Sequence, residues 1–108
     1  MRRRRQTAAL ARIRQLAAGR KVRFTMKALR ELAALAMGLD EEDACDVLSR
    51  LAPSDLVEHL VSKRTGEWMY VFKPSIGEVV VYVKVVLRSD CVVISFHEEE
   101  DYGDEDDE

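Results

Sequence analysis

The last apolar part of the chain constrains the fold most, because it predicts three consecutive strands. Residues 67–73 (EWMYVFK) are rich in aromatic side chains, residues 78–87 (EVVVYVKVVL) are mostly β-branched, and residues 91–97 (CVVISFH) form a third such run. Aromatic and β-branched residues favour strands. The connections, residues 74–77 and 88–90, are short and rich in turn-forming residues. Hairpins are therefore expected to join the strands in an antiparallel sheet.

The first half of the chain predicts three helices. Residues 7–18 place apolar side chains along one stripe, which is typical of an amphipathic helix. Thr25 is the expected N-cap of a second helix, residues 26–37, and Asp40 caps a third helix over residues 41–51. Each helix has one apolar side, so each needs a further layer to pack against.

Two weaker strand signals complete the pattern. Residues 21–24 are expected to form a short edge strand, and residues 56–62 (LVEHLVS) favour a strand over a helical turn. The chain of 108 residues is long enough for one domain with one modest core. The prediction is an α+β fold in which N-terminal helices pack on an antiparallel sheet of three or four strands.

The charge is distributed very unevenly. Residues 1–97 hold all 17 Lys and Arg but only 11 acids, an excess of six positive charges, while residues 98–108 hold nine acids and no base. We expect a single domain over residues 1–97 with a basic N-terminal segment, followed by a disordered acidic tail over residues 98–108. The basic body favours a polyanionic partner. The tail is expected to be solvated, with folding back over the basic surface as the alternative.

Several classes of protein are disfavoured by the composition. Cys45 and Cys91 lie in apolar patterns without CxxC spacing, which predicts buried, reduced thiols in a cytoplasmic protein. Only two histidines are present, so a structural zinc site is not expected. No apolar run reaches about 18 residues, and the arginines after Met1 do not precede the apolar core of a secretory signal.

Several short motifs from residue 38 onward resemble the MqsR family of bacterial toxin–antitoxin ribonucleases, which have a RelE-like fold. Their order and spacing carry the resemblance, which extends over roughly residues 7–98. The motifs are Gly38-Leu39-Asp40, Cys45 with Val47, Leu51 with Ser54-Asp55, Trp68, Phe72-Lys73-Pro74, Tyr82-Val83-Lys84 and Val93-Ile94-Ser95-Phe96.

The resemblance implies a toxin that cuts messenger RNA without a metal or another cofactor. Cleavage of this type uses the neighbouring 2′-hydroxyl as the nucleophile. It needs a base for that hydroxyl, cations around the phosphate and an acid for the 5′-oxygen. The implied partners are mRNA and a cognate antitoxin protein, with dependence on the ribosome left open and no membrane involved.

The residues that usually act in the family can be carried over one by one. A lysine on the first strand of the sheet falls on Glu58, a glutamine just after the tryptophan on Met69, a tyrosine on the long central strand on Tyr82 and a lysine just after Ser-Phe on His97. Only the tyrosine is the same. Histidine changes its protonation near neutral pH, so His97 suits proton transfer in the place of that lysine.

Strand alternation predicts which of these side chains lie together. Residues 79, 81, 83 and 85 are all valine, so they should face the helices and leave Tyr82 and Lys84 on the opposite face. In the last strand, Phe96 and Ile94 should point inward and His97 outward. A phosphate could then sit among Tyr82, Lys84 and His97. The alternative is an ordinary half-solvated sheet face.

Other polar residues extend the candidate site. His59 adjoins Glu58, so a bulge or a register shift would turn it into the same cleft as a fourth catalytic group; the alternative is a rim residue. Lys73 and Arg88 at turn positions, together with Arg23 from the basic cluster, are candidates for binding the RNA backbone. Their alternative role is surface solubility.

The aromatic strand allows two interpretations. Trp68, Tyr70 and Phe72 alternate along one side of the strand. They could form a platform on which RNA bases stack. Packing against the helices is the favoured interpretation.

Two functions are therefore compared. The first is a metal-independent endoribonuclease in which His97 transfers a proton, Lys84 stabilises phosphate charge and Tyr82 positions the phosphate. The second is a catalytically inactive relative that binds nucleic acid or an acidic protein through its basic N-terminal half. Glu58 and Met69, which replace a lysine and a glutamine of the family, motivate the second.

Overall fold

A computed structural model of the chain describes residues 2–99, with side chains from residue 6 onward. The side chains of the first arginines and the acidic residues from 100 to 108 lie outside the described residues, so the predicted domain division and disordered tail stay predictions. The α+β class is confirmed. The elements are α1 Arg2–Ala18, β1 Val22–Phe24, α2 Met26–Ala34, α3 Glu41–Ser49, a 3₁₀ turn Pro53–Asp55, β2 Leu56–Val61, β3 Trp68–Phe72, β4 Ser75–Ile76, β5 Val79–Leu87 and β6 Cys91–Glu98.

The sheet is mixed and has six strands in the described part of the chain, which corrects the expected antiparallel sheet of three or four strands. Its order is β1-β6-β5-β3-β2, with the short β4 paired to β5. The neighbours among β2, β3, β5 and β6 are antiparallel, as hairpins require. β1 joins β6 in parallel, with Val22 beside Cys91. The chain between β1 and β6, which contains α2, α3 and strands β2 to β5, is long enough for this pairing. Parallel neighbours cannot be joined by a tight turn.

One face of the sheet packs against the helices. Val81, Val83 and Val85 are fully buried there and share a core with Ile13 and Ala17 of α1. The predicted valine face is therefore confirmed. Each large apolar side chain removed from water contributes roughly 1.5–3 kcal/mol, so this face anchors β5 in the middle of the sheet.

A β-bulge in β6 changes which of its residues face the helices. Lys84 and Val85 are consecutive in β5, but their partners are Ser95 and Val93, which leaves Ile94 as an extra residue. Val93 therefore lies in the helix-side core, and Ile94 packs on the opposite face. The prediction that Ile94 points inward is wrong, because strict alternation does not continue through a bulge.

Local hydrogen bonds define the helix starts. Thr25 caps α2, and Asp40 forms a capping box at α3, both as predicted. The helices end sooner than expected, α2 at Ala34 and α3 at Ser49. For α2 the reason is Ala36, whose φ of 58° is left-handed and cannot continue the helix.

The aromatic residues of β3 divide between core and rim. Tyr70 and Phe72 lie in the helix-side core, which confirms the packing interpretation for these two. Trp68 is 37% exposed. Its ring lies 5.2 Å from that of His59 on β2. A stacking platform of three aromatic rings is therefore excluded.

Two expectations from composition can be compared with the fold. Cys45 and Cys91 are both buried and form no disulfide. Burial raises the pKa of the Cys91 thiol to about 12, so this thiol is a poor nucleophile at neutral pH. Among the described residues, none of the helices has the length and apolar character needed to cross a membrane.

Candidate active site

The sheet face opposite the helices carries a row of polar side chains at its centre. We call it the open face and define it by Tyr82 and Lys84 of β5 and by Ser95 and His97 of β6. Tyr82 lies directly opposite His97, and Lys84 lies directly opposite Ser95. The predicted grouping of Tyr82, Lys84 and His97 on one face is therefore confirmed.

The rings of Tyr82 and His97 form a stacked pair. Their centroids lie 4.9 Å apart, and their planes differ by 13°. Cross-strand neighbours of this kind restrict each other's rotation. Both rings also stand on central strands, so the imidazole and the phenol are presented from a rigid surface.

His97 is held in one orientation by a backbone contact. The residue is 8% exposed, and Nδ1 lies 2.9 Å from the carbonyl oxygen of Glu98. A carbonyl oxygen can only accept, so Nδ1 carries the proton in this contact. In the neutral ring the lone pair is then on Nε2, the nitrogen able to accept a proton.

Lys84 is a buried cation on the same face. It is 6% exposed, and no carboxylate among residues 6–99 forms an ion pair with it. Burying a charge without a counter-charge is unfavourable. An anion bound beside Lys84 would supply the missing counter-charge.

A second lysine lies at the edge of this group. Lys73 directly follows Phe72, the last residue of β3, whose partner Val83 is the chain neighbour of Tyr82 in β5. Its Nζ is 2.9 Å from Oε2 of Glu99, and the two side chains are 34% and 39% exposed. The acidic end of the described chain therefore contacts the open face.

A third lysine reaches the open face from α2. Lys27 donates to Ser95 Oγ over 2.8 Å and forms an ion pair with Glu31 Oε2, also over 2.8 Å. Glu31 is buried, and its other oxygen accepts the backbone N–H of Phe96 at 2.8 Å. The sequence analysis did not identify Lys27 and Glu31 as site residues. Their spacing of four on one helix could have indicated an ion pair.

Comparison with known protein families identifies the family of this chain. The family model described as motility quorum-sensing regulator, toxin of MqsA, matches residues 5–98. The chain belongs to the MqsR toxin family. One relative is the mRNA interferase toxin MqsR of Escherichia coli strain K12, which is 30% identical over 90 residues, or 82% of this chain and 90% of that protein.

Two positions that the resemblance to the MqsR family picks out differ in environment. Glu58 pairs with Val71, which pairs with Lys84, so the carboxylate lies on the open face and is exposed. Met69 is buried in a small apolar cluster with Val86. The open face thus has a carboxylate in one of these positions and an apolar wall in the other.

His59 does not join the group. It pairs with Tyr70, which pairs with Val85, so it lies on the helix side of the sheet. The irregularity in β2 falls between Leu56 and Glu58. The strand therefore already alternates regularly at His59, and the expectation that a bulge turns it into the cleft is wrong. Its Nδ1 is buried and has no hydrogen-bond partner among the described residues.

The two candidate arginines are engaged in ion pairs near the far end of the sheet. Arg23 Nε lies 3.0 Å from Asp90 Oδ2, and Arg88 donates through two nitrogens to Glu67, each over 2.8 Å. These guanidinium groups lower the pKa of both carboxyls, that of Glu67 to about 2. Arg23 and Arg88 therefore do not share the centre of the open face with Lys84.

Proposed function

We propose that the chain is the toxin of a type II toxin–antitoxin system and acts as a metal-independent endoribonuclease on mRNA. The observation that carries the proposal is the stacked pair of Tyr82 and His97 beside the buried Lys84. The name of the Escherichia coli relative, mRNA interferase toxin, supports the same activity. We also propose that the fold is related to that of the RelE-like ribonucleases.

The proposed reaction is an attack by the 2′-hydroxyl of the RNA on the adjacent phosphorus. A 2′-oxygen–phosphorus bond forms, the bond to the 5′-oxygen breaks, and the products are a 2′,3′-cyclic phosphate and a 5′-hydroxyl. One proton leaves the 2′-hydroxyl, and another reaches the departing oxygen. Because proton transfer by a positioned side chain accelerates such steps by about 10²–10⁴-fold, the face needs at least one group of this kind.

Three residues of the open face, and Lys73 at its edge, have roles that their environments support. His97 has a lone pair on Nε2, so it accepts or returns the proton. Lys84 stabilises the negative charge that develops on the phosphate, an effect that is stronger where water is excluded. Tyr82 positions the phosphate through its hydroxyl. Lys73 binds the neighbouring backbone when its contact with Glu99 opens.

The remaining basic groups supply long-range attraction. Arg23, Arg88 and the N-terminal arginines contribute to the positive body of the protein, which draws a polyanion towards it. The partners are mRNA and a cognate antitoxin, and the ribosome is a further candidate.

The test is cleavage of RNA by the purified protein. We expect wild type to release fragments that end in cyclic phosphate, and His97→Ala to lower kcat at least about 100-fold. His59→Ala is the matched control, because the other histidine lies on the helix side of the sheet. Absence of cleavage by wild type, with and without ribosomes, would exclude the activity. Equal cleavage by His97→Ala would exclude the role of the imidazole.

A catalytically inactive RNA- or protein-binding relative is the second candidate. The exposed carboxylate of Glu58 on the open face favours it, since an acidic group opposes the approach of phosphate. Growth after induction separates the two. An active toxin arrests growth and loses potency on His97→Ala, whereas a silent binder loses its effect when the N-terminal arginines are replaced.

A further inference from the structure

We propose that Lys27 is a further RNA-binding residue of the open face and that Glu31 is the positioning residue that holds it there. The inference rests on the proposed function, because it assigns an additional phosphate contact to the same site. Both residues belong to α2, which contributes no other side chain to the polar group described above.

The first step is the edge of β6. β1 covers this edge only as far as Phe24, which pairs with Val93. Beyond that point no strand in the described part of the chain pairs with the N–H of Phe96, and Glu31 Oε1 accepts it over 2.8 Å. An unpaired backbone donor in a buried position is unfavourable. The carboxylate of α2 therefore replaces the missing strand and fixes the backbone next to His97.

The second step is the ammonium group. Glu31 Oε2 binds Lys27 Nζ over 2.8 Å, and the same Nζ donates to Ser95 Oγ over 2.8 Å. Two of its three hydrogens are used in this way, and the third remains for a ligand. The Lys27 side chain is 51% exposed, so a ligand on the open face can reach the ammonium group.

The third step is the relation between Lys27 and Lys84. Ser95, to which Lys27 is bound, lies directly opposite Lys84 in the sheet. Side chains that face each other across two antiparallel strands have Cβ atoms about 5 Å apart. Lys27 Nζ is thus held at Ser95, directly across the ladder from the position of Lys84, and the two lysines belong to the same part of the open face. Two cations so placed fit the phosphates of a single-stranded RNA, which carries one negative charge per nucleotide.

The buried carboxylate distinguishes Lys27 from an ordinary surface lysine. Long side chains on a helix surface lose entropy when they are held in one place. Glu31 is 9% exposed and is bound to the backbone, so its second oxygen is a fixed point that holds the ammonium group. Lys27 is thus organised before RNA arrives, as a binding residue should be.

The test uses binding of a 2′-O-methylated oligoribonucleotide, which lacks the nucleophile and cannot be cut. We expect Lys27→Gln to weaken binding about fivefold to tenfold and to reduce the dependence of log K on log[salt] by about 0.7, the value for one phosphate contact on a single strand. Lys27→Arg should retain most of the affinity. Arg30→Gln is the matched control, because Arg30 is an exposed cation on the same helix.

The outcomes separate this inference from the proposed function. If Lys27→Gln and Arg30→Gln weaken binding equally, or if neither does, the inference is wrong. If wild type binds the oligonucleotide through Lys27 but never cuts natural RNA, the inference holds and the endoribonuclease proposal fails. If wild type does not bind the oligonucleotide at all, the inference is wrong even if cleavage occurs.

Glu31→Gln tests the positioning role. The amide oxygen can still accept the N–H of Phe96, but the charge that holds Lys27 is lost. We expect KM for RNA to rise roughly threefold to tenfold with kcat little changed, which is the pattern for lost ground-state binding. If the protein binds RNA without cutting it, its dissociation constant for RNA should rise by the same factor. A lower melting temperature with KM and affinity unchanged would show a purely structural carboxylate and overturn the assignment.

Discussion

Tyr82 and His97 lie directly opposite each other on β5 and β6, and their rings stack with centroids 4.9 Å apart. The pair joins two neighbouring strands in the middle of the sheet, on the face opposite the helix-side core. The stacked rings are adjacent to the buried Lys84. Single substitutions can therefore change the ring packing, the hydroxyl or the charge one at a time, and their effects on stability and on activity can be compared.

The hydroxyl of Tyr82 can be tested apart from its ring. Tyr82→Phe keeps the stack with His97 and removes the oxygen, so the free energy of unfolding should change by less than about 1 kcal/mol. We expect kcat for RNA cleavage to fall by about 10–100-fold. Tyr82→Leu, which also removes the stack, should reduce stability further. Cleavage by Tyr82→Phe at the wild-type rate would show that the hydroxyl has no role.

Replacement of Lys84 should affect stability and binding in opposite directions. Lys84→Met keeps the apolar stem and removes a buried charge that has no described counter-ion, so stability in urea should stay constant or rise by about 1–2 kcal/mol. RNA affinity should fall about tenfold or more. Lys63→Met, at an exposed turn position, is the control and should leave both nearly unchanged. A large loss of stability in Lys84→Met would contradict the interpretation.

The contact between Lys73 and Glu99 predicts a gain of affinity. The two groups lie 2.9 Å apart, so Glu99→Gln releases the ammonium for RNA. We expect binding to tighten about twofold to fivefold at low salt, and the gain to shrink at high salt because exposed charges are screened. Glu78→Gln makes the same change of net charge at another exposed position. An equal gain of RNA affinity in Glu99→Gln and Glu78→Gln would show that only the net charge of the protein matters.

The pair of Glu67 and Arg88 predicts a pH dependence of stability. The Arg88 guanidinium lowers the pKa of Glu67 from its ordinary 4.5 to about 2. Since the folded pKa is the lower one, the ionised carboxyl stabilises the fold above about pH 4.5, and this contribution is lost as the pH falls towards 2. The free energy of unfolding in urea should therefore decrease more steeply in wild type than in Arg88→Gln as the pH is lowered. Parallel curves for the two proteins would contradict the prediction.

The features that could be predicted from the sequence depend on short distances along the chain. Thr25 and Asp40 cap helices by bonding to backbone groups three residues away, so their local sequences are sufficient. Alternation along β5 placed Tyr82 and Lys84 on one face, because successive strand residues point to opposite sides. The resemblance of the central motifs to the MqsR family could likewise be read from residue types and spacing.

Other features followed from contacts between distant parts of the chain. The parallel pairing of β1 depends on which sheet edge is left unpaired, and the bulge at Ile94 appears only when β6 is aligned with β5. The same alignment, carried through β3, placed His59 on the helix side. No local pattern distinguishes these outcomes from regular alternation.

The sequence by itself determined the helices and strands, their apolar faces and the polar types available to a site, because these depend on residues only a few positions apart. The tertiary structure alone decided which polar groups meet. Lys27 reaches Ser95 across 68 positions of the chain, and Glu31 reaches Phe96 across 65. Such contacts form only when packing of the valine face has brought α2 against the edge of β6, since that burial supplies the free energy that orders both segments.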